Sequence, residues 1–449
     1  MPRFWWIRRV DRVQYRGVRS LASKSFLLLG ILACSNKPVV PGIDGGSINF
    51  PCTLPGSWVT DASGTHVVPG GNGEAGFSWL TVPTGFCVHA YATVPNARQL
   101  RFAPGGELFV ASPTTGTTSN GQNGLAAIVV VPDDNHDGYG DQVQTFLGNL
   151  PSTQGLLFAN GSLYYQDHVS IRREPYDAGQ RVDNGLSEVV ADITVYASSL
   201  HWPKTLDIAD DGTIYVGNGG DQQERCQHPM PFHGGILAID GSAGGREVAM
   251  GLRNPIDVKC HHDGHDHCFA TELSLDYSAS SGGREKLITI ADGDNWGYPC
   301  CATEGLAYTS VRVPCPNNPT MQCPPDCSAI TPEADSFVIG NTPFGFEFED
   351  QQFPVPWDHK VFVVLHGVVG TWTGARLVAI STDPATGLPL TGSTLSGSNS
   401  GKLTDFATGW DDGSRSHGRP ADLTLSPDGR LFVANDQTGE IFWIAPVFK

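Results

Sequence analysis

Short apolar runs of alternating character, each broken by a turn and then resumed, recur along this chain. In the stretch Leu206 to Gly217, Leu206 and Ile208 precede Asp210-Asp211-Gly212, and Ile214, Tyr215 and Val216 follow it. Alternation with period two predicts strands, and Asp-Gly between two such runs predicts a tight hairpin turn. Five further segments obey the same grammar: Leu100 to Ala111 around Pro104-Gly105-Gly106, Leu156 to Gln166 around Asn160-Gly161, Ile256 to Ala270 around Asp263-Gly264, Phe346 to His366, and Leu423 to Ala434 around Pro427-Asp428-Gly429. Their starts lie 50 to 90 residues apart, room for a four-stranded sheet with its loops, the size of a propeller blade. The pattern predicts an all-β, six-bladed β-propeller over residues 81–449, closed by pairing Glu440 to Ile444 with an N-terminal strand. Residues 300–327, rich in Pro and Cys, read as a disulfide-stapled insertion in the long fourth interval.

Composition agrees with this reading. The 449 residues include 54 Gly and 32 Pro, more than helices tolerate, and no long segment shows apolar residues at helical spacing. The formal net charge is -18, and residues 1–33 carry seven basic side chains against one acidic, so the remainder stands near -24. Such a surface repels nucleic acid and anionic lipid.

The start of the chain reads as a targeting segment, residues 1–34. Arg8, Arg9, Arg12, Arg16, Arg19 and Lys24 precede the apolar run Phe26 to Ala33, too short to span a bilayer. It ends at Ile31-Leu32-Ala33-Cys34, which resembles the bacterial lipobox, in which the cysteine is lipidated. The expectation is an exported protein of the periplasm or cell envelope, touching the membrane only through a lipid on Cys34. Residues 35–80, rich in Gly, Pro, Ser and Thr, read as a tether and irregular lead-in. Of the eleven cysteines, ten remain once Cys34 is set aside, an even number suited to disulfides in an oxidising compartment. Cys52 with Cys87 and Cys260 with Cys268 read as local bridges; Cys226, Cys300, Cys301, Cys315, Cys323 and Cys327 are left to pair among themselves.

In a propeller, the residues just before each innermost strand converge on one mouth of the central channel. Here they are Gln154, His201 and Lys204, Arg253 and Asn254, and Arg415, His417 and Arg419. A histidine in such a place suits general-base chemistry, because imidazole titrates near neutral pH.

These residues, together with Gly251-Leu252-Arg253-Asn254-Pro255, Thr271-Glu272-Leu273, Gly283-Arg284-Glu285-Lys286-Leu287, Asp294-Asn295-Trp296-Gly297-Tyr298-Pro299 and Gly418-Arg419-Pro420, resemble the glucose/sorbosone dehydrogenase family over about residues 85 to 445. That family consists of soluble sugar dehydrogenases that use pyrroloquinoline quinone (PQQ) in a six-bladed propeller. The resemblance implies oxidation of a small-molecule substrate, at a sugar's anomeric hydroxyl or at an aldehyde hydrate, with hydride passing to the quinone and then electrons to a separate acceptor. It implies His201 as the base and Arg253 as the cation at the reactive edge of the cofactor. Gln154, Lys204, Asn254, His366 and Arg419 fall at or beside cofactor-binding positions, with PQQ's three carboxylates matched by arginines. It also implies a calcium ion bridging PQQ to main-chain oxygens near Ser274 and Leu275. Two positions depart from the family: Leu200 stands where soluble glucose dehydrogenases have an acidic residue before the base, and His366-Gly367 aligns with a cofactor-contacting lysine. The alternative reading is a non-catalytic exported propeller whose mouth binds a glycan or a protein partner. A hydrolytic propeller of the gluconolactonase sort would need carboxylates at the mouth, where this chain has basic and amide side chains.

Two other stretches invite a metal. Asp133, Asn135, Asp137 and Asp141 stand at positions one, three, five and nine of a loop with Gly138 at six, most of a calcium loop of EF-hand type, although Gln144 replaces the final Glu. Cys260-His261-His262-Asp263-Gly264-His265-Asp266-His267-Cys268 has zinc-like content, but flanking cysteines in an exported protein favour a disulfide-closed turn with exposed histidines.

Overall fold

The computed structural model describes residues 51–70, 77–116, 123–193, 201–220, 234–239, 245–274, 284–302, 306–307, 313–315, 317–331, 335–338, 340–390, 403–413 and 416–447. Cys34, Leu200, Leu275 and Arg415 lie outside the described residues.

Each of the six predicted hairpins forms the two inner strands of one blade, and the blades are antiparallel apart from Asp294–Asn295, which adds in parallel at the edge of blade three. The innermost strands are Gln99–Phe102, Leu156–Ala159, Leu206–Ile208, Asn254–His261, Pro343–Glu349 and Pro420–Leu425, heading blades one to six in turn. Each touches the next around the ring, and the sixth touches the first. The turns follow their residues: at Gly212, φ is 88°, a backbone that a side chain resists and glycine adopts freely. The strands are buried on both faces, because alternate side chains pack against the blades on either side. Leu156 belongs to the cluster shared with blade one, whereas its neighbour Leu157 belongs to the cluster shared with blade three. Period two thus generates a separate hydrophobic core between every pair of neighbouring blades.

Polar side chains close the ring at its centre. At every junction a buried or half-buried side chain accepts a backbone N–H of the next blade: Leu156 N donates to Gln99 Oε1 (2.6 Å), Lys204 N to Gln166 Oε1 (3.0 Å), and Cys260 N to Asp207 Oδ2 (3.0 Å). Phe346 N donates to Asp257 Oδ2 (3.3 Å), Leu425 N to Glu347 Oε2 (3.4 Å), and Leu100 N to Asp422 Oδ2 (2.7 Å). Inner-strand N–H groups face away from any partner within their own blade, so these contacts satisfy donors that burial would otherwise penalise.

Blade six is completed by both ends of the chain. Glu440–Pro446 pairs with Phe86–Thr93 over seven residue pairs, as the closure expectation required. The lead-in segment contributes as well: Trp58–Asp61 and Gly64–Val67 extend this sheet at its outer edge, and Cys52 is bridged to Cys87. Val59 is an apolar anchor in an otherwise Gly- and Thr-rich stretch, which is why composition alone did not mark it as part of the propeller. Cys260 is bridged to Cys268 and Cys301 to Cys327, and Cys300 and Cys323 are also disulfide-bonded. Among the described residues no helix is long and apolar enough to cross a membrane.

Candidate active site at one mouth of the channel

Every innermost strand starts at the same rim, and the residues that introduce it carry the chemistry. On blade three, His201 is 4% exposed, and its Nδ1 donates to Gly220 O at 2.5 Å. Gly220 N in turn donates to Arg253 O at 2.7 Å, which ties the histidine to the loop entering blade four. Burial, and then the charge of Arg253, press the His201 pKa down to about 4. The ring is therefore neutral at pH 7 with its proton on Nδ1, leaving the lone pair on Nε2. Gln166 binds the neighbouring pieces together. Its Oε1 accepts from Gln154 N (3.2 Å) and Lys204 N (3.0 Å), and its Nε2 donates to Trp202 O (2.7 Å).

Arg253 is held from below. Its backbone N donates to Glu272 Oε1 (3.0 Å) and its Nη1 to Ser274 O (2.9 Å), while Glu272 Oε2 accepts from Ser274 Oγ (2.7 Å) and Lys286 Nζ (3.0 Å). Glu285 accepts the Thr342 N–H at the start of blade five. The Thr-Glu-Leu and Arg-Glu-Lys motifs thus serve the loops that lead into the neighbouring strands. Gly251 and the Asp-Asn-Trp-Gly motif are mutual packing partners: Trp296 N donates to Met250 O and Tyr298 N to Gly251 O. Gly251 has φ 75°, and a Cβ on it would lie 2.6 Å from Gly297 N, so only glycine fits.

Across the mouth stands a second cluster. Arg419 donates from Nε to His366 O (3.0 Å) and from Nη2 to Gly367 O (2.8 Å), and lies over Trp372. Burial lowers its pKa to about 10. His366 stacks on Phe344, with Nδ1 on Pro420 O (2.6 Å) and Nε2 facing Asp436 Oδ2 (3.3 Å). Both ring nitrogens meet acceptors, so the contact with Asp436 is attractive only when a proton sits between Nε2 and Oδ2. Burial and Arg419 push the His366 pKa down to about 4, while Asp436 pulls it up. For Asp436, burial favours protonation but is outweighed by His366 and Arg98, which hold the carboxyl well below its usual range. Arg98 joins the two clusters: its Nη1 lies 3.3 Å from Asp436 Oδ2, and its Nη2 donates to Gly116 O, where the ring of Trp202 packs.

The structure therefore links Gln154, His201, Lys204, Arg253 and Ser274 in one network, with Asn254 next to Arg253 in the chain, and His366 with Arg419 in a second. His417 sits farther out, stacked on Trp79 and paired with Asp412 at 2.8 Å. Arg98, Gln166 and Asp436 were not singled out from sequence, and Glu272 was named only within the Thr-Glu-Leu motif. Arg98 obeys the rule that found the others, since it immediately precedes the first inner strand; Asp436 follows the end of a second strand, Leu431–Asn435, a position the rule does not cover. Gln154 Oε1, Asn254 Oδ1 and Asp436 Oδ1 are buried without a hydrogen-bond partner, a cost that proteins seldom leave uncompensated.

The other two stretches form turns. In the acidic loop, Asp133 accepts the N–H groups of Asp137 and Gly138, Asn135 that of Asp137, Asp137 that of Tyr139, and Asp141 that of Asp134. These are turn-forming bonds, and among the described residues no three His, Cys, Asp or Glu side chains gather as metal ligands. The histidine-rich turn is closed by its disulfide, with His262 and His265 exposed, but His261 is buried against Phe348 and bonded to Asp350, because the long inner strand carries it into the interface with blade five. A cavity of about 410 Å³ opens at the opposite rim, among Phe102, Phe158, Phe348 and Leu425, away from this chemistry. Glu347 lines it, but its carboxylate is occupied by Lys259 and by the N–H groups of Phe348 and Leu425.

No protein-family model matches the chain, and no curated protein matches it. Solved structures do. The iodide structure of a Trichoderma reesei carbohydrate-active enzyme of family AA12 is 18% identical with a TM-score of 0.64, covering 82% of this chain and 97% of that one. The holo form of the pyranose dehydrogenase PQQ domain from Coprinopsis cinerea is 16% identical with a TM-score of 0.63, covering 82% and 97%. The PQQ-bound aldose sugar dehydrogenase from Streptomyces coelicolor is 16% identical with a TM-score of 0.51, covering 81% and 99%. At these identities the likeness is one of architecture, and this chain has the six-bladed propeller fold that the three structures share.

Proposed function

We propose that the chain is a PQQ-dependent dehydrogenase that oxidises a sugar at its anomeric hydroxyl, or an aldehyde hydrate, with His201 as general base. The observation that carries this reading is the combination, at one rim, of buried cations in excess with buried polar atoms left unpartnered. Among the described residues the buried cations Arg98, Lys204, Arg253, Arg284, Lys286 and Arg419 outnumber the buried carboxylates Glu272, Glu285 and Asp436. A tricarboxylate cofactor offsets such an excess, and arginines bind carboxylates in pairs of hydrogen bonds. Gln154, Asn254, Arg98, Arg253, His366 and Arg419 would hold it, and once bound it would supply the hydride acceptor. The neighbours' own descriptions as PQQ and sugar enzymes support the same reading. Calcium would take main-chain oxygens near Ser274 and Leu275; the Ser274 carbonyl, already accepting from Arg253, offers its second lone pair.

The residues divide the chemistry in a simple way. Neutral His201 takes the hydroxyl proton on Nε2 while Nδ1 stays on Gly220 O. Its pKa of about 4 is low for a base working near neutrality, but Arg253 is one of the causes, and a polyanion beside Arg253 would raise it. Arg253 stabilises negative charge as it develops.

The disulfides and the acidic surface support export, and we extend the proposal to lipid anchoring at Cys34, tested by loss of labelled fatty acid in Cys34→Ala. For the activity, purified protein is given PQQ and calcium, desalted, and assayed on an aldose panel with a dye acceptor. PQQ retention with dye reduction is expected. The absence of both PQQ retention and dye reduction would overturn the proposal in favour of a mouth that binds a glycan or protein partner.

A further inference from the structure

His201 arrives at the mouth on a corner of chain, His201-Trp202-Pro203-Lys204, with no regular hydrogen bonding of its own. Loops of that kind place a catalytic group loosely unless something fixes their carbonyls. Here all three carbonyls of the corner are tied: Trp202 O by Gln166 Nε2 (2.7 Å), His201 O by Lys204 Nζ (3.2 Å), and Pro203 O by the same ammonium (3.5 Å). Lys204 is 1% exposed. Burial depresses its pKa to about 7, with no charge among the described residues contributing. Taking an ammonium out of water without a carboxylate partner is expensive, and an apolar side chain of the same length would fill the space without that cost. What the charge supplies is a pair of charge-assisted bonds to the carbonyls on either side of Trp202. From the other side, Gly219 leaves His201 no slack, since a Cβ there would lie 2.2 Å from His201 Cβ.

We propose that Lys204 is the positioning residue of His201, pinning the carbonyls of His201 and Pro203 so that the imidazole keeps its Nδ1 bond to Gly220 O. This rests on the reading of His201 as the base, but the geometry can be tested apart from turnover. In ¹⁵N-labelled protein, the His201 Nδ1–H resonance is assigned by its loss in His201→Ala, and its exchange with solvent is timed in Lys204→Met and Lys204→Arg. Lys204→Met removes the donor and relieves the buried charge; Lys204→Arg retains a donor. Exchange is expected to accelerate about tenfold or more in Lys204→Met and to stay near wild type in Lys204→Arg, as for a native-state bond whose local support is lost. In the PQQ-loaded enzyme, kcat should fall about 10²-fold in Lys204→Met, the scale of a misplaced catalytic group, with PQQ affinity by fluorescence titration unchanged. An Nδ1–H that exchanges at the wild-type rate in Lys204→Met overturns the proposal, as does a loss of PQQ affinity matching the loss in kcat, which would make Lys204 a cofactor ligand. If the wild type neither binds PQQ nor turns over, the dehydrogenase reading fails while the exchange measurement still decides the role of Lys204.

Discussion

The rim that carries His201 and the waist of the channel below it are built on the same inner strands, yet their charges have opposite signs and different tasks. At the waist, Asp207, Asp257, Glu347 and Asp422 face Arg101 and Lys259, and each carboxylate accepts a backbone N–H of the next blade. At the rim, cations predominate; single unpartnered atoms occur in both places, on Gln154, Asn254 and Asp436 at the rim and on Arg101 and Asp422 at the waist. A set of charges whose carboxylates all bind the next blade's backbone is a lock; a set with surplus positive charge has the character of a receptor. The difference lies in position: side chains along the strands meet neighbouring backbone, whereas those just ahead of the strands meet open space.

That contrast can be broken most directly at His201. His201→Ala should lower dye reduction about 10²- to 10⁴-fold while leaving the melting temperature near that of the wild type, and a large fall in both would erase the distinction between rim and waist. Arg419→Met comes next, expected to weaken PQQ binding in a fluorescence titration by about 10- to 100-fold, the size of a lost charged hydrogen bond. The waist should respond in the opposite way. Asp422→Ala strands the buried Leu100 N–H and should cost about 1–3 kcal/mol in urea unfolding, with dye reduction per folded molecule unchanged.

The smallest effect is one of pH. Burial, with Asp257 adding to it, raises the Asp422 pKa to about 7 from 3.8. The folded chain therefore keeps a proton that the unfolded chain has lost, and this contribution to stability is complete below pH 3.8 and disappears as pH rises through about 7. His201, lowered from 6.5 to about 4, acts the other way: as pH falls through that window the unfolded chain binds the proton first, and stability falls. Melting temperatures recorded from pH 4 to pH 8 should slope more steeply upward in Asp422→Asn, which preserves an acceptor for Leu100 N but does not titrate. In His201→Ala the low-pH loss should shrink. An unchanged slope in Asp422→Asn would show that Asp422 does not keep its proton in the folded chain.

Much of the rim was legible because a propeller makes one positional rule apply six times. Gln154, Lys204, Arg253 and Arg419 were found as residues ahead of an alternating run, and Arg98 answers to the same rule. The latches escaped notice because a strand of alternating residues looks the same whether its polar members face water or a neighbour's N–H; nothing in the sequence distinguishes Asp257 at the waist from a solvated aspartate. Gln166 acts from a second strand and Asp436 from just beyond one, where sequence spacing to the first strand of another blade carries no regular signal.

The chain alone determined the number of blades, the hairpin turns and the closure by its last strand, since each follows from periodicity along the backbone, and it pointed to the bridges Cys52–Cys87 and Cys260–Cys268 without fixing them. Only the tertiary structure decided which polar groups meet: that His201 leans on Gly220 beside Arg253, that Asp436 stands between Arg98 and His366, and that four carboxylates bind the blades to one another. Those partners lie tens to hundreds of residues apart, and they meet because closing the ring brings together strand ends whose separation in sequence is set by loops of arbitrary length.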